Sequence, residues 1–338
     1  MKFRTLGAVV AMAGAIGLAG GQSAEAKMKR ITIGSNPAGS TYFLLAGGFA
    51  KLFQEKLKIR STGQPHAGSS VYLPLMDKGE ITMGLNSSLD SGMAVAGAAP
   101  YKKRMQNVRL IARIWILPYA YMVKESSGIK TLADLKGKKV VVKFKTNVSL
   151  AQTNRTILST AGMTVKDVQA VDSGGVVAGI NMVVEGRAVT TTVALAMPAM
   201  RKTHATVPGG LRILPLGPKA NDAMLEKGIA GLYSIKIKPT KRTPFVKAPI
   251  TITAFDTYLN AGSQVDAKDA YMLAKTVHTN WKAMQKAYGP LRGTPIKGLA
   301  TPKNVMPYHP GAVKYYKEAG LWTAANTARQ AKVMAKVR

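Results

Sequence analysis

The stretch IGSNPAGSTYF, Ile33–Phe43, comes within one residue of a phosphate-binding loop. Gly34, four residues, Gly39 and then Ser40-Thr41 fit the spacing G-x-x-x-x-G-K-[ST], but Ser40 stands where the lysine belongs. Without that cation the loop keeps hydroxyls and backbone N–H groups at a helix start, a chemistry suited to a carboxylate rather than a triphosphate. Two more loops share this character, NSSLD (Asn86–Asp90) and KTNVS (Lys145–Ser149), with HAGSS (Ala67–Ser70 after His66) as a fourth. Ordinary helix caps use the same residue types, so one such loop means little. Four together predict an anion-binding cleft.

No catalytic constellation accompanies them. The histidines, His66, His204, His278 and His309, are far apart and lack metal-ligand spacing. Asp266 and Asp269 lie three apart at a predicted helix start, where first-turn carboxylates favour the dipole. There is no cysteine and no G-x-S-x-G elbow. We therefore expect neither an enzyme nor a metal or other cofactor. Tyr42 suits either ligand contact or packing at the head of its helix. Trp115 reads as core or hinge packing, and His66 lies in a predicted cleft loop. Arg113 and Arg155 are the arginines able to pair with a carboxylate. Lys143 and Lys145 alternate along a strand and so share a face, toward either the cleft or solvent.

The termini and bulk charge bound the setting. Lys2 and Arg4 precede an apolar run to about Ala19, followed by Ala24-Glu25-Ala26, an A-x-A cleavage pattern. Residues 1–26 thus read as a cleavable signal peptide, its apolar run short of the roughly 20 residues that span a membrane. Export to the periplasm follows. The chain carries 48 basic and 16 acidic residues, a net charge of +32. The basic residues are dispersed and no nucleic-acid motif accompanies them, so a solvated basic surface is expected and nucleic acid is not a predicted partner. The remaining alternative is an exported protein that binds polyanions or the envelope.

The elements that position these loops alternate. RITIGS reads as a strand, and Leu45, Phe49, Leu52 and Phe53 recur at helical spacing over Tyr42–Lys56, with Ser40 or Thr41 as cap. KIRST, ITMGLN, VRLIARIWIL and YAYMVK read as strands, the last two broken by Pro118. Helices are expected at Val71–Lys78 and from Ser87 onward. The second half continues the alternation. A one-turn helix capped by Thr131 and closed by Gly137 precedes strands at 138–144, 168–172 and 188–193, with helices between them. An apolar strand returns at Ile250–Tyr258, and helices dominate from Asp266. This alternation predicts α/β layers with parallel sheets, whose ligands sit beyond the strand ends.

At this point the sequence resembles a known family. RITIGSNPAGSTYFLLAGGFAKLF, HAGSSVYLPLMDKGEITMGLNSS, GIKTLADLKGKKVVV and MPYHPGAVKYYKEAGLW resemble successive segments of the TAXI-type solute-binding receptors of TRAP transporters. LADLKGK is common to many bilobal binding proteins, whereas the pairing of GST-Y-F with HPGAVKYYKE is more specific. The resemblance implies a type II-like bilobal periplasmic binding protein. Residues 27–117 and 255–338 would form one lobe and 118–254 the other, joined by crossings near Trp115–Val123 and Ile250–Tyr258. It implies a small organic anion, a carboxylate or an amino acid such as glutamate, held between lobes that close on it. A monomer that delivers its ligand to TRAP membrane permease subunits is expected. Carried over by motif, the ligand residues would be Asn36, Gly39, Ser40, Thr41 and Tyr42; Ser69 and Ser70; Asn86, Ser87 and Ser88; and, from the facing lobe, Asn147 and Ser149. The chain departs from the family's pattern at Asn36-Pro37, Thr82, Val189 and KFKTNVS, which makes the expected cleft wall bulkier and more positive.

Overall fold

The structure, a computed structural model, describes Met1 and residues 28–337. The expected signal peptide lies outside the described residues, Met1 apart. In the first part of the chain strands β1 (Arg30–Ser35), β2 (Arg60–Pro65) and β3 (Met83–Ser87) alternate with helices α1 (Thr41–Leu57), α2 (Ser69–Asp77) and α3 (Ser88–Ala96). The long β4 (Arg109–Lys124) then leads to β5 (Lys139–Phe144), α4 (Val148–Ser159), β6 (Gln169–Ser173), α5 (Val176–Val184) and β7 (Thr190–Ala194). Next come α6 (Pro198–Thr206), β8 (Leu211–Ile213), α7 (Asp222–Gly228), β9 (Tyr233–Ile237) and β10 (Ile250–Ala261). Helices α8 (Ala267–Thr279), α9 (Trp281–Ala287), α10 (Pro310–Glu318) and α11 (Ala324–Met334) complete it.

The expected α/β class holds, and the strand order explains how two lobes arise from one chain. The order is β2-β1-β3-β10-β4-β7-β5-β6, with β8 against β4 and β9 against β10. β1 runs parallel to β2 and β3, and β5 runs parallel to β6 and β7. Between these two parallel sets lie β4 and β10, antiparallel to each other and to the strands they border. Both contain the stretches that read as apolar strands in the sequence. Apolar residues from both faces of these strands are buried, including Leu110, Ile111, Ile114, Phe255 and Leu259, so the ribbon is part of the core rather than a linker.

Local rules account for the elements that carry the loops. The Ser40 hydroxyl accepts from the Phe43 amide at 3.1 Å, so Ser40 rather than Thr41 caps α1. Leu45, Phe49, Leu52 and Phe53 form the buried stripe of that helix. Ser87 caps α3 in the same way, accepting from the Asp90 amide at 2.9 Å.

Two expectations need correction, and one region carried none. Pro118 does not break the crossing, because β4 is one strand of 16 residues. Pro118 pairs with Ala254 of β10, while pairing with β7 begins only at Tyr119, so the proline sits at the end of that second ladder. Thr131 does not cap the short 3-10 helix Ala133–Leu135. Asp134 Oδ2 instead accepts from the Lys130 and Thr131 amides at 2.9 Å each. The region 195–249 holds α6, β8, α7 and β9, short elements whose periodicity was too brief to read.

Candidate functional site

The loops at the strand ends meet across the space between the two parallel sets. Thr146 Oγ1 donates to the Ala67 carbonyl at 2.8 Å, and Asn147 Nδ2 donates to Ser69 Oγ at 3.2 Å. Longer contacts of 3.4 Å join the Ser70 amide to the Thr146 carbonyl and the Val148 amide to Ser70 Oγ. On another side the Ala199 amide, at the start of α6, donates to the Gly39 carbonyl at 3.1 Å. Gly39 has φ of +86°, a conformation that glycine adopts without strain. The lobes are therefore closed upon each other.

Between the closed lobes lies a cavity of about 50 Å³, room for about four waters. Asn36, Ser40, Thr41 and Tyr42 line it from the first loop, Ser87 and Asp90 from the start of α3, and Asn147 from the facing lobe. Two polar atoms at this wall, Asn36 Oδ1 and Thr41 Oγ1, are buried without a hydrogen-bond partner. The amides of Thr41 and Tyr42 belong to the first turn of α1, whose donors point out of the helix end. A buried orphan polar atom costs about 1–3 kcal/mol, so this wall is built to be completed by a polar group. Tyr42 is fixed by a 3.4 Å contact from its hydroxyl to Thr257 Oγ1 on β10, and burial pushes its phenol pKa up.

The opposite character comes from Asp90, a residue 3% exposed that the sequence showed only as the end of the NSSLD loop. Its Oδ2 accepts from Ser69 Oγ at 2.6 Å and from Ser87 Oγ at 2.9 Å. The hydroxyl and amide of Ser149 face the same carboxyl across the lobes, the hydroxyl without a hydrogen bond of full geometry. Burial raises the Asp90 pKa, and these serine contacts partly offset it. The start of α4 thus already has an acid beside it, the chain's own. The remaining wall is apolar: Trp115, Leu117 and Tyr119 from β4, Phe255 from β10, and Leu150, Val176, Ala194 and Met197 from the second lobe. The rings of Tyr119 and Phe255 stand 5.6 Å apart and tilted by 59°. The Tyr119 hydroxyl is held by Asn154 Oδ1 at 3.2 Å and Thr192 Oγ1 at 2.5 Å. The aromatic wall was legible only as hinge strands, and nothing in its spacing marked it as ligand-facing.

Of the twelve residues carried over by motif, Asn36, Ser40, Thr41, Tyr42, Ser87 and Asn147 line this cavity. Ser69 and Ser149 stand one layer back, against Asp90. Ser70 and Gly39 bridge the lobes. Asn86 accepts from Asn260 at 2.7 Å and donates to Ser91 Oγ at 2.6 Å, joining β3 to β10. Ser88 accepts from the Asp256 amide at 3.2 Å and lines a separate concavity. The expected positive wall is not found among the described residues. Lys143 pairs with Asp172 at 3.6 Å on an exposed edge, Lys145 is exposed, and Arg155 reaches only Gln152. Arg113 pairs with Asp256 outside the cavity. His66 packs beside Tyr72 at 5.6 Å, and His309 caps α10 by accepting from the Gly311 amide. Among the described residues no cluster of metal-ligating side chains occurs.

Two α/β lobes joined by paired crossing strands, closed over a cavity at their strand ends, define a bilobal binding protein. The chain belongs to the NMT1-like family, whose sequence model matches residues 33–320. Its fold is similar to that of PhnD1 from Prochlorococcus marinus (MIT 9301) in complex with methylphosphonate, with 13% identity over 74% of this chain and 82% of that one and a TM-score of 0.49. The alkanesulfonate-binding protein SsuA from Xanthomonas axonopodis pv. citri bound to MOPS matches at 14% identity over 91% and 97%, TM-score 0.47. An ancestral arginine-binding protein bound to glutamine matches at 18% over 78% and 98%, also with a TM-score of 0.47.

Proposed function

We propose that this protein is the periplasmic substrate-binding subunit of a TRAP-type transporter, capturing a small organic acid between its lobes and delivering it to the membrane permease. The observation that carries this reading is the orphaned hydroxyl Thr41 Oγ1, lining the interlobe cavity at the start of α1. A ligand carboxylate there would accept from the Thr41 hydroxyl and the first-turn amides, with the helix dipole favouring its charge. The motif resemblance supports the TRAP assignment, with lobes divided at 27–117 plus 255–338 and 118–254 and residues 1–26 as the export signal.

Thermal-shift and calorimetric screening of the mature protein against carboxylates and amino acids tests the reading. A true ligand at one hundred times its Kd adds about 2.7 kcal/mol of stability, a Tm rise of several degrees. Tight binding confined to solutes without an acid group would overturn it.

A further inference from the structure

We propose that the cavity selects acids that also carry a protonated amine, compact α-amino acids, with Asp90 receiving the ammonium group. This rests on the solute-binding reading above and narrows its substrate class. Among the described residues Asp90 is the one charged side chain that lines the cavity, and no lysine, arginine or histidine lines it. Its carboxylate is almost fully buried and is contacted by neutral donors, the hydroxyls of Ser69 and Ser87 and the facing Ser149. A buried anion answered by hydroxyls lacks a countercharge, and a ligand cation in the same cavity supplies one.

The rest of the wall points the same way. Trp115, Tyr119 and Phe255, each 3% exposed or less, line the cavity, and an aromatic ring face attracts an ammonium and disfavours a second carboxylate. The carboxylate of the ligand has its own place at the start of α1, beside the unpartnered Thr41 hydroxyl. One acid-accepting end, one ammonium-accepting carboxylate and an apolar wall in about 50 Å³ describe a small zwitterion with an uncharged side chain. A dicarboxylate has no cationic partner for its second acid among the described lining residues, and an aliphatic acid without the amine leaves Asp90 uncompensated.

Calorimetry on matched pairs tests this: glycine against acetate, L-alanine against propanoate, L-valine against 3-methylbutanoate, each titrated into the wild-type protein at neutral pH. The amino acid of at least one pair is expected to bind a hundredfold or more tighter than its desamino partner. In the Asp90→Asn variant, checked for folding by its thermal transition, the amino acid should weaken at least tenfold while its desamino partner does not. Equal binding of the two partners in the wild type would overturn the proposal while leaving the organic-acid reading intact. A preference that survives in Asp90→Asn would overturn it too. If no acid of either kind binds, both readings fall. The wild-type pairs need no variant, so a misfolded Asp90→Asn protein would not protect the idea.

Discussion

At the scale of single residues, Thr41 is the sharpest probe of the acid-binding end. Its hydroxyl is buried and unpartnered, so it contributes nothing to the fold that a methyl would not. Thr41→Val keeps the shape and removes the donor. Thermal unfolding should show a Tm unchanged or slightly raised, while calorimetry should show the best acid ligand weakened about tenfold, the loss of one hydrogen bond to a charged group. A large drop in Tm with unchanged affinity would instead make the hydroxyl structural. Asp90 offers a second residue-scale test through pH. Folding raises its pKa above the unfolded value of 3.8, because burial disfavours the charged form. The native state therefore holds this proton to higher pH than the unfolded chain, and Asp90 lowers stability progressively as pH rises from 3.8 through the folded value. Asp134, Asp167 and Asp222 have lowered pKa values and act in the opposite sense, losing their stabilisation as acid is added. The contribution of Asp90 is isolated by subtraction. The Tm difference between Asp90→Asn and wild type should grow more positive as pH is raised through that window, and a difference flat in pH would contradict a buried, ionising Asp90.

At the scale of elements, closure and the hinge can be tested separately. Gly68 has extended backbone that any residue adopts, yet a Cβ there would overlap the Thr146 carbonyl across the lobes. Gly68→Ala should leave each lobe folded and hold the two apart. The measured radius of gyration should fail to shrink when ligand is added, and affinity should fall tenfold or more. On the hinge, Arg113 of β4 pairs with Asp256 of β10 at 3.3 Å, both side chains 14% exposed or less, and Tyr233 of β9 donates to the same carboxyl at 3.3 Å. Arg113→Met strands that carboxylate, and urea unfolding should show a loss of about 3–5 kcal/mol. A loss below about 1 kcal/mol would mean that water already compensates Asp256. These elements also mark how far the sequence was legible. Helix starts were readable because a cap is a local bond, Ser40 to Phe43 and Ser87 to Asp90. The crossings were readable as apolar strands, but the continuity of β4 through Pro118 depends on which ladder borders each residue. The ligand-facing role of Asp90 and the aromatic wall depends on closure, which brings residues from positions 36 to 255 together and leaves no periodic trace.

At the scale of the whole molecule, the charge and the cavity point in different directions. The chain carries +32, yet no lysine or arginine among the described residues lines the cavity. A field of that size raises the local concentration of anions at the surface and is screened within a Debye length, about 10 Å at 0.1 M salt. It does little to hold a zwitterion shielded by two closed lobes, whose dipole is answered by the start of α1 at one end and Asp90 at the other. Amino-acid affinity should therefore change less than about threefold between about 50 and 500 mM salt. Binding of heparin or anionic vesicles to the same preparation should collapse over that range, because each neutralised phosphate or sulfate releases counterions. The two titrations separate a solute receptor with a basic coat from an exported polyanion-binding protein built on the same fold. If solute binding falls as steeply with salt as vesicle binding does, the surface charge rather than the cavity holds the ligand, and the polyanion reading takes its place.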